Sequence, residues 1–371
     1  MLESLLGVRV LIWTGGLIPT PQPVLVDALE SVQVTNDTDA GDGFQLTFSV
    51  GKNTFGGFDV LDSGALALMN RVWIGVVLGI VPHMLIDGIV TRHDLRPSDE
   101  PGRSTFTVTG TDVSTQLDLE EKNAPFSNQP DFVIVNQILL NYAQYGLLPV
   151  VTPTTDLPIE IQRIPRQHET DLRFIRRLAE RNGFVFYIEP VTLGVNKAYW
   201  GPVIRAGIPA PAITLGLGSA ANCTSLSFSN DGLAPVGAKG SFVEPITKVA
   251  IPIPPLPALR LPPLVASPTP TSRTVLLRDT GNAGPIGTAL ASLAAATTAP
   301  EAVTGTGEVD TATYGAVLRA RGLVGVRGAG LDYDGPYYVR SVSHSIRKGS
   351  HTQGFTLSRE GTMALLPVVL P

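Results

Sequence analysis

The C-terminal segment constrains the fold most. Leu318-Arg-Ala-Arg-Gly322-Leu-Val-Gly-Val326-Arg-Gly328-Ala-Gly330 is followed by Asp334-Gly335-Pro-Tyr-Tyr338-Val339-Arg-Ser-Val342-Ser-His344, and then by Thr352-Gln-Gly354-Phe355-Thr-Leu-Ser-Arg359. β-Branched and aromatic residues gather into three short runs, and glycines separate them. Glycine enters left-handed backbone without steric cost, so it punctuates chains at turns. Such runs between turns predict an antiparallel meander.

Upstream, to about Lys122, the chain also reads as strands. In Gly43–Val50, Phe44, Leu46, Phe48 and Val50 alternate with Gln45, Thr47 and Ser49, the mark of a strand with one wet face. Thr105–Thr109 repeats the pattern, with Phe106 and Val108 inward. Val72–Leu78 and Leu85–Thr91 lie between, joined by a predicted turn at Val81-Pro-His-Met84. About five strands in one unit fit a small barrel or sandwich.

Between Asn128 and Tyr199 the period changes. Pro130-Asp131 opens a predicted helix with Val135, Ile138, Leu139 and Tyr142 on one face and Gly146 after its end. A second helix spans Asp171–Asn182, capped by Thr170 or Glu169, with Leu172, Ile175, Leu178 and Ala179 as its stripe and Gly183 as its stop. Phe184–Ile188 follows as a strand, so this part reads as helix–strand–helix–strand. The segment 249–272 repeats proline, which removes donors and fixes φ, and predicts an extended arm lying on a neighbour. Gly287–Thr298 is alanine-rich and reads as a helix, and strands resume near Val317. The division is 1–125, 126–200 and 201–371. First and last parts also align loosely: Asp87-Gly-Ile-Val90-Thr-Arg-His93 with Asp334-Gly335, Val339 and His344, and Phe106-Thr-Val-Thr-Gly110 with Phe355-Thr-Leu-Ser.

Composition excludes several classes. The 371 residues are 43% hydrophobic, ample for packed domains and against global disorder. Only 16% are charged, which suggests surfaces covered by partners. A net charge of −5 provides no drive towards nucleic acid. Cys223 is the sole cysteine, so neither an intrachain disulfide nor a cysteine zinc site forms, and a reducing compartment is compatible. No basic n-region precedes the apolar run interrupted by Arg9, so no signal peptide is expected. Val72–Val90 is apolar but holds Pro82, His83 and Asp87. An aspartate at mid-span costs about 2.5–3.5 kcal/mol, so no membrane insertion is expected.

Chemical motifs are sparse. His83, His93, His168, His344 and His351 lack the spacings of a zincin. Glu120-Glu121 and Asp332-x-Asp334 do not suit the facing carboxylates of a glycosidase, and Asp332–Gly335 reads as a plain turn. Gly216-Leu-Gly218-Ser-Ala-Ala221 lacks the helix a dinucleotide loop needs. Arg163, Arg166, Arg173, Arg176, Arg177 and Arg181 form the one charge cluster, read as a solvated face or interchain ion pairs with Glu180 and Glu169. No catalytic residue, metal or cofactor is assigned.

Two segments carry a family resemblance. His168-Glu-Thr-Asp171-Leu-Arg-Phe174-Ile-Arg-Arg-Leu178-Ala-Glu-Arg-Asn-Gly183 with its aromatic strand, and the C-terminal meander through Gly322, Gly328, Gly335, Tyr338-Val339, His344 and Phe355, resemble the phage tail hub and late-control D family. That family includes the hub part of type VI spikes and the hubs of extracellular contractile injection systems. Val108-Thr-Gly110-Thr-Asp112 looks like the end of its first barrel. The resemblance implies a mainly β fold with an α+β insert: two tube-like antiparallel barrels and a small α/β unit, in a trimeric ring of pseudo-sixfold symmetry. It implies a structural baseplate hub adapting a trimeric spike to a hexameric inner tube, with other baseplate components as neighbours. Such a hub assembles in the cytoplasm and ends in a phage-like particle or injection machine. The Pro-rich arm and the apolar tail Met363–Pro371 are not hallmarks of the family. Two other readings are compatible: a receptor-binding or distal tail protein of a non-contractile tail, and a tail-associated cell-wall hydrolase.

Overall fold

The computed structural model describes residues 8–51, 57–100, 103–154, 164–216, 218–244, 247–256, 258, 260, 262–278 and 284–365. The signal-peptide expectation at residues 1–7, Arg163 and residues 366–371 of the apolar tail lie outside the described residues.

The first unit holds β1 (Arg9–Gly15), β2 (Thr20–Pro21), α1 (Pro23–Ala28), β3 (Leu29–Asp37), β4 (Gly43–Val50), α2 (Asp59–Asp62), β5 (Arg71–Leu78), β6 (Val81–Arg96) and β7 (Ser104–Asp112). The alternation in β4 holds: Phe44, Leu46, Phe48 and Val50 are buried, and they pack with Val32, Val34, Ile74, Phe106 and Val108. The β5–β6 turn falls at Gly79–Ile80 instead of Val81–Met84, because Gly79 takes the left-handed conformation (φ 63°). Pro82 then occupies the exposed start of β6, where a missing donor is tolerated.

The middle unit holds β8 (Glu121–Pro125), α3 (Asp131–Leu140), β9 (Leu147–Val151), β10 (Arg166–Thr170), α4 (Asp171–Asn182), β11 (Val185–Thr192) and β12 (Val195–Gly201). It is richer in strands than the expected helix–strand–helix–strand. β8 pairs with β10, and β12 lies between β11 and a parallel β9. α3 and α4 close over these sheets, burying Val135, Ile138, Leu139, Phe174, Leu178 and Trp200.

The third part holds β13 (Ala210–Thr214), β14 (Ser225–Asn230), β15 (Val236–Val243), β16 (Ala250–Leu256), β17 (Arg273–Leu276), α5 (Gly284–Thr298), β18 (Val303–Asp310), α6 (Thr311–Tyr314), β19 (Leu323–Arg327), β20 (Gly335–Arg347) and β21 (Ser350–Arg359). The predicted meander is present as β19–β20–β21, all antiparallel. Strands resume well before Val317. The proline segment is corrected too: its start is β16, an edge strand on this chain's own β15, where lost donors face outward.

Among the described residues one sheet of 13 strands joins the first and third parts. Six strands recur in it in one spatial order. The spatial order β3–β4–β7–β6–β5–β1 is matched by β14–β18–β21–β20–β19–β13, with α2 and α6 in equivalent connections. Met69 and Arg321, both left-handed (φ 67° and 66°), precede β5 and β19. Their N–H groups donate to the carbonyls of Val90 (2.8 Å) and Val339 (2.7 Å). Val90 and Val339 donate back to Asn70 and Gly322, both at 2.9 Å. Directly after each valine, the ladder skips one residue, Thr91 or Arg340. One rung reads Val34–Phe44–Gly110–Val90, and its counterpart Phe228–Gly305–Leu357–Val339.

This register corrects the alignment expected from sequence. Val90 and Val339 do correspond, but Phe355 answers to Val108, not Phe106, and His93 to Val342, not His344. The slip is two residues, which leaves every side chain on its original face. Two differences separate the copies. β1 pairs antiparallel with β5, whereas β13 runs parallel to β19. The segment β15–β17 with α5 is inserted between β14 and β18 and has no counterpart between β3 and β4.

Candidate functional site

Two clusters of buried charge lie at the seams between the parts of this chain. At the first seam, Arg321, preceding β19, donates to both carboxylate oxygens of Asp42 in the β3–β4 turn (2.7 and 3.1 Å) and to the Asp37 carbonyl (2.6 Å). Asn36 and the Asp37 N–H also donate to Asp42, each at 3.0 Å. The guanidinium lies 4.4 Å above the Tyr187 ring of β11, so all three parts meet at one side chain. Asp112, at the end of β7, faces the same small polar cavity and accepts from Ser114 Oγ at 2.5 Å. Burial and the neighbouring Asp42 push its pKa up to about 7, against the opposing pull of Ser114, Arg321 and Arg176.

At the second seam, Arg71 of β5 holds Asp87 of β6 in a bidentate pair (2.8 and 2.6 Å), with side chains only 4% and 3% exposed. Arg71 also donates to the carbonyls of Leu17 and Tyr145, and Asn196 of β12 donates to Asp87 at 2.6 Å. A third cluster joins Arg205 to Glu360 (2.8 Å) and Glu301, with the Leu264 N–H donating to Glu360 at 2.7 Å. Desolvating such charges is unfavourable unless geometry and hydrogen bonds compensate. The first two clusters therefore fix how the parts sit together, and the third ties the last part to itself. They have the chemistry of a clamp: Asp42, Asp87, Glu301 and Glu360 are each matched by a guanidinium.

The residues singled out from sequence fall into three groups. Asp171 is buried at the first position of α4 and accepts from Lys122 (2.5 Å), Tyr142 (2.7 Å) and Gln167 (2.7 Å). Thr170 caps the helix through Arg173 N–H, as expected. Phe174 stacks on Phe126, and Leu178 lies in the same core. Gly183 ends α4 in the left-handed conformation (φ 66°), and a Cβ there would lie 2.9 Å from the Ala294 backbone of α5. Gly110 backs onto the Phe44 ring, where a Cβ would approach to 2.4 Å.

Gly322, Tyr338 and Val339 build the repeated bridge before β19 and the buried side of β20, while Gly328 and Gly335 take positive φ at its turn. Asp334 accepts the Ala329 N–H at 2.7 Å, which makes this a carboxylate-capped turn. His344 and Phe355 are buried; His344 Nδ1 lies 3.2 Å from His351 Nε2. Burial pushes His344 down to about 3, with help from His351 and Arg319, and His351 down to about 4. Within the chain, Arg177 of the arginine cluster binds Glu169 at 2.6 Å, and Arg181 binds Asp131. Cys223 is half-buried and its thiol is pushed up by burial. Among the described residues no three His, Cys, Asp or Glu side chains gather as metal ligands, and no helix is long and apolar enough to cross a membrane.

No family model matches the sequence, and no curated protein is similar to it in sequence. Solved structures are similar in fold. A tail protein from Neisseria meningitidis MC58 superposes with a TM-score of 0.62 at 14% identity, over 96% of this chain and 98% of that one. The 43 kDa tail protein of prophage MuSo2 from Shewanella oneidensis gives 0.62 at 14%, over 95% and 98%. The chain has the fold of phage tail proteins. The E. coli c3393 protein, a component of the type VI secretion system with structural similarity to the T4 tail proteins gp27 and gp5, gives 0.55 at 14%, over 92% and 77%. In this tail-protein fold, Asp42, Asn196, Arg205 and Glu301 carried no signal in the sequence, because each meets a partner far along the chain, and Asp87 stood out there only as part of the repeat. Arg321 lies within the glycine-rich Leu318–Gly330 string but carries no motif of its own.

Proposed function

We propose that this chain is the structural baseplate hub of a contractile injection system or phage-like tail, adapting a trimeric spike to a hexameric inner tube. Residues 1–125 and 201–371 are its two tube-like barrels, and residues 126–200 its α/β wall. The observation that carries the reading is the repeat, together with the edges it leaves open. Inside the chain, β3 pairs with the C-terminal half of β20, placing Val34 opposite His344. The equivalents of those edges, the outer edge of β14 and residues 91–96 of β6 on the β5 side, pair with no strand among the described residues. Joining them between copies repeats the internal junction and propagates a ring. Three copies then present six related faces to the tube and three to the spike.

The repeat also gives the register. Phe228 is equivalent to Val34, and Leu95 to His344, so Phe228 of one copy lies opposite Leu95 of the next, and Ser229 opposite Asp94. A Ser229→Cys, Asp94→Cys pair in a Cys223→Ser background brings two Cβ atoms within reach of a disulfide. Oxidation is expected to give a ladder that ends at three chains, and native mass to give a three-to-three complex with the cognate spike. A chain that stays monomeric, uncross-linked and indifferent to the spike overturns the reading.

A further inference from the structure

The inserted sheet has two unlike edges. β16 is one, and Pro252, Pro254 and Pro255 deny it N–H donors. The other is β17, which bears no proline: all four residues, Arg273–Leu276, are exposed, and Leu276 is 69% exposed. Leu277 N–H donates to Lys239 of β15 at 2.8 Å. By the alternation of a strand, the N–H groups of Thr274 and Leu276 therefore point outward, and they meet no strand among the described residues. Natural proteins seldom leave such an edge open.

Charge describes what fits there. Lys239 lies beside Leu276 in the register, Arg273 opens the strand and Arg278 follows it. All three are exposed, and none meets a carboxylate among the described residues. We propose that the β17 edge docks an extended segment of a separate protein, apolar at its centre and acidic at its ends, added as a further strand of the inserted sheet. Main-chain hydrogen bonds provide the pairing, while Val275 and Leu276 meet its apolar side chains and Arg273, Lys239 and Arg278 its acids. Because the insertion occurs in only one half of the repeat, each chain offers one such edge. In the ring proposed above it belongs to a partner that counts chains, not barrels. That count rests on the hub reading; the edge itself does not.

The test uses the full chain and an array of seven-residue peptides alternating Val and Thr, ended by Glu, Gln or Lys. Glu-ended peptides are expected to bind best. Leu276→Pro removes one outward N–H while sparing the bond from Leu277, and is expected to weaken binding at least about tenfold. Arg273→Glu with Arg278→Glu, a surface change that keeps the edge, is expected to move the preference to Lys-ended peptides. Equal binding by wild type and Leu276→Pro, or no binding to any peptide, overturns the proposal. So does wild-type self-association that Leu276→Pro abolishes, since the occupant is then a second copy. Native mass of both variants separates this outcome from failure of the ring: loss of docking with unchanged subunit number leaves the hub reading intact.

Discussion

Arg71 and Asp87 form a pair in which neither charge has water to return to. Truncating one partner leaves the other desolvated and alone, which costs about 3–5 kcal/mol. Arg71→Ala is therefore expected to lower the denaturant midpoint strongly, whereas Arg92→Ala, at an ion pair with side chains 70% and 41% exposed, changes it little. Two buried groups should also tilt stability with pH, in opposite senses. His344 and His351 ionise at about 3 and 4 in the fold but near 6.5 when unfolded, so the unfolded chain takes up protons first. Their contribution is full above pH 6.5 and is lost as pH falls towards 4. Asp112, raised to about 7, holds a proton that the unfolded chain has released above about 4, so its contribution falls as pH rises through that window. Asp112→Asn should steepen the rise of stability between pH 4 and 7, and His344→Gln should flatten it, as read from urea melts across pH. His344 reads from its strand motif as a core or interface histidine, but neither its pairing with His351 nor the surroundings of Asp112 show in the sequence. His344 and His351 lie seven residues apart on two strands of a hairpin, and Asp112 meets Arg321 across the whole molecule.

At the level of elements, α4 was the most legible part of the chain. Thr170, the apolar stripe and Gly183 each state a local rule, and no long-range contact overrides them. Gly183 bears a second constraint that sequence does not carry, the close approach of α5 at Ala294. Gly183→Ala combines left-handed strain of about 1–2 kcal/mol with that clash, and should destabilise by more than the strain alone. A calorimetric comparison with Gly315→Ala, also left-handed (φ 75°) but with nothing near its Cβ, isolates the difference. Strands were legible wherever alternation was strict, as in β4 and β7. β16 was not, because proline argues against strands in general and only its edge position makes it tolerable. The repeat was glimpsed but misregistered: a slip of two residues preserves alternation, so apolar patterning alone could not detect it. The paired left-handed residues Met69 and Arg321 fixed the register, and neither is the glycine that would have announced itself.

For the whole molecule, the mainly β character was readable and the seams were not, since a seam is defined by residues that share no local pattern. Leu95 tests the ring at this scale. It is 37% exposed in the single chain, so Leu95→Lys should leave the melting temperature of the monomer nearly unchanged while abolishing trimer formation by native mass. The β3–β20 junction has a consequence in time as well. Thr35 and Ser343, bonded across it, are 308 residues apart. At roughly 5–20 residues per second, a ribosome delivers β20 about 15–60 s after β3 emerges. Through that interval β3 is an orphaned template, and on a crowded message the nearest finished β20 can belong to the chain ahead. Exchange of this strand between sister chains is thus the characteristic error of such a topology, and translation speed sets how often it occurs.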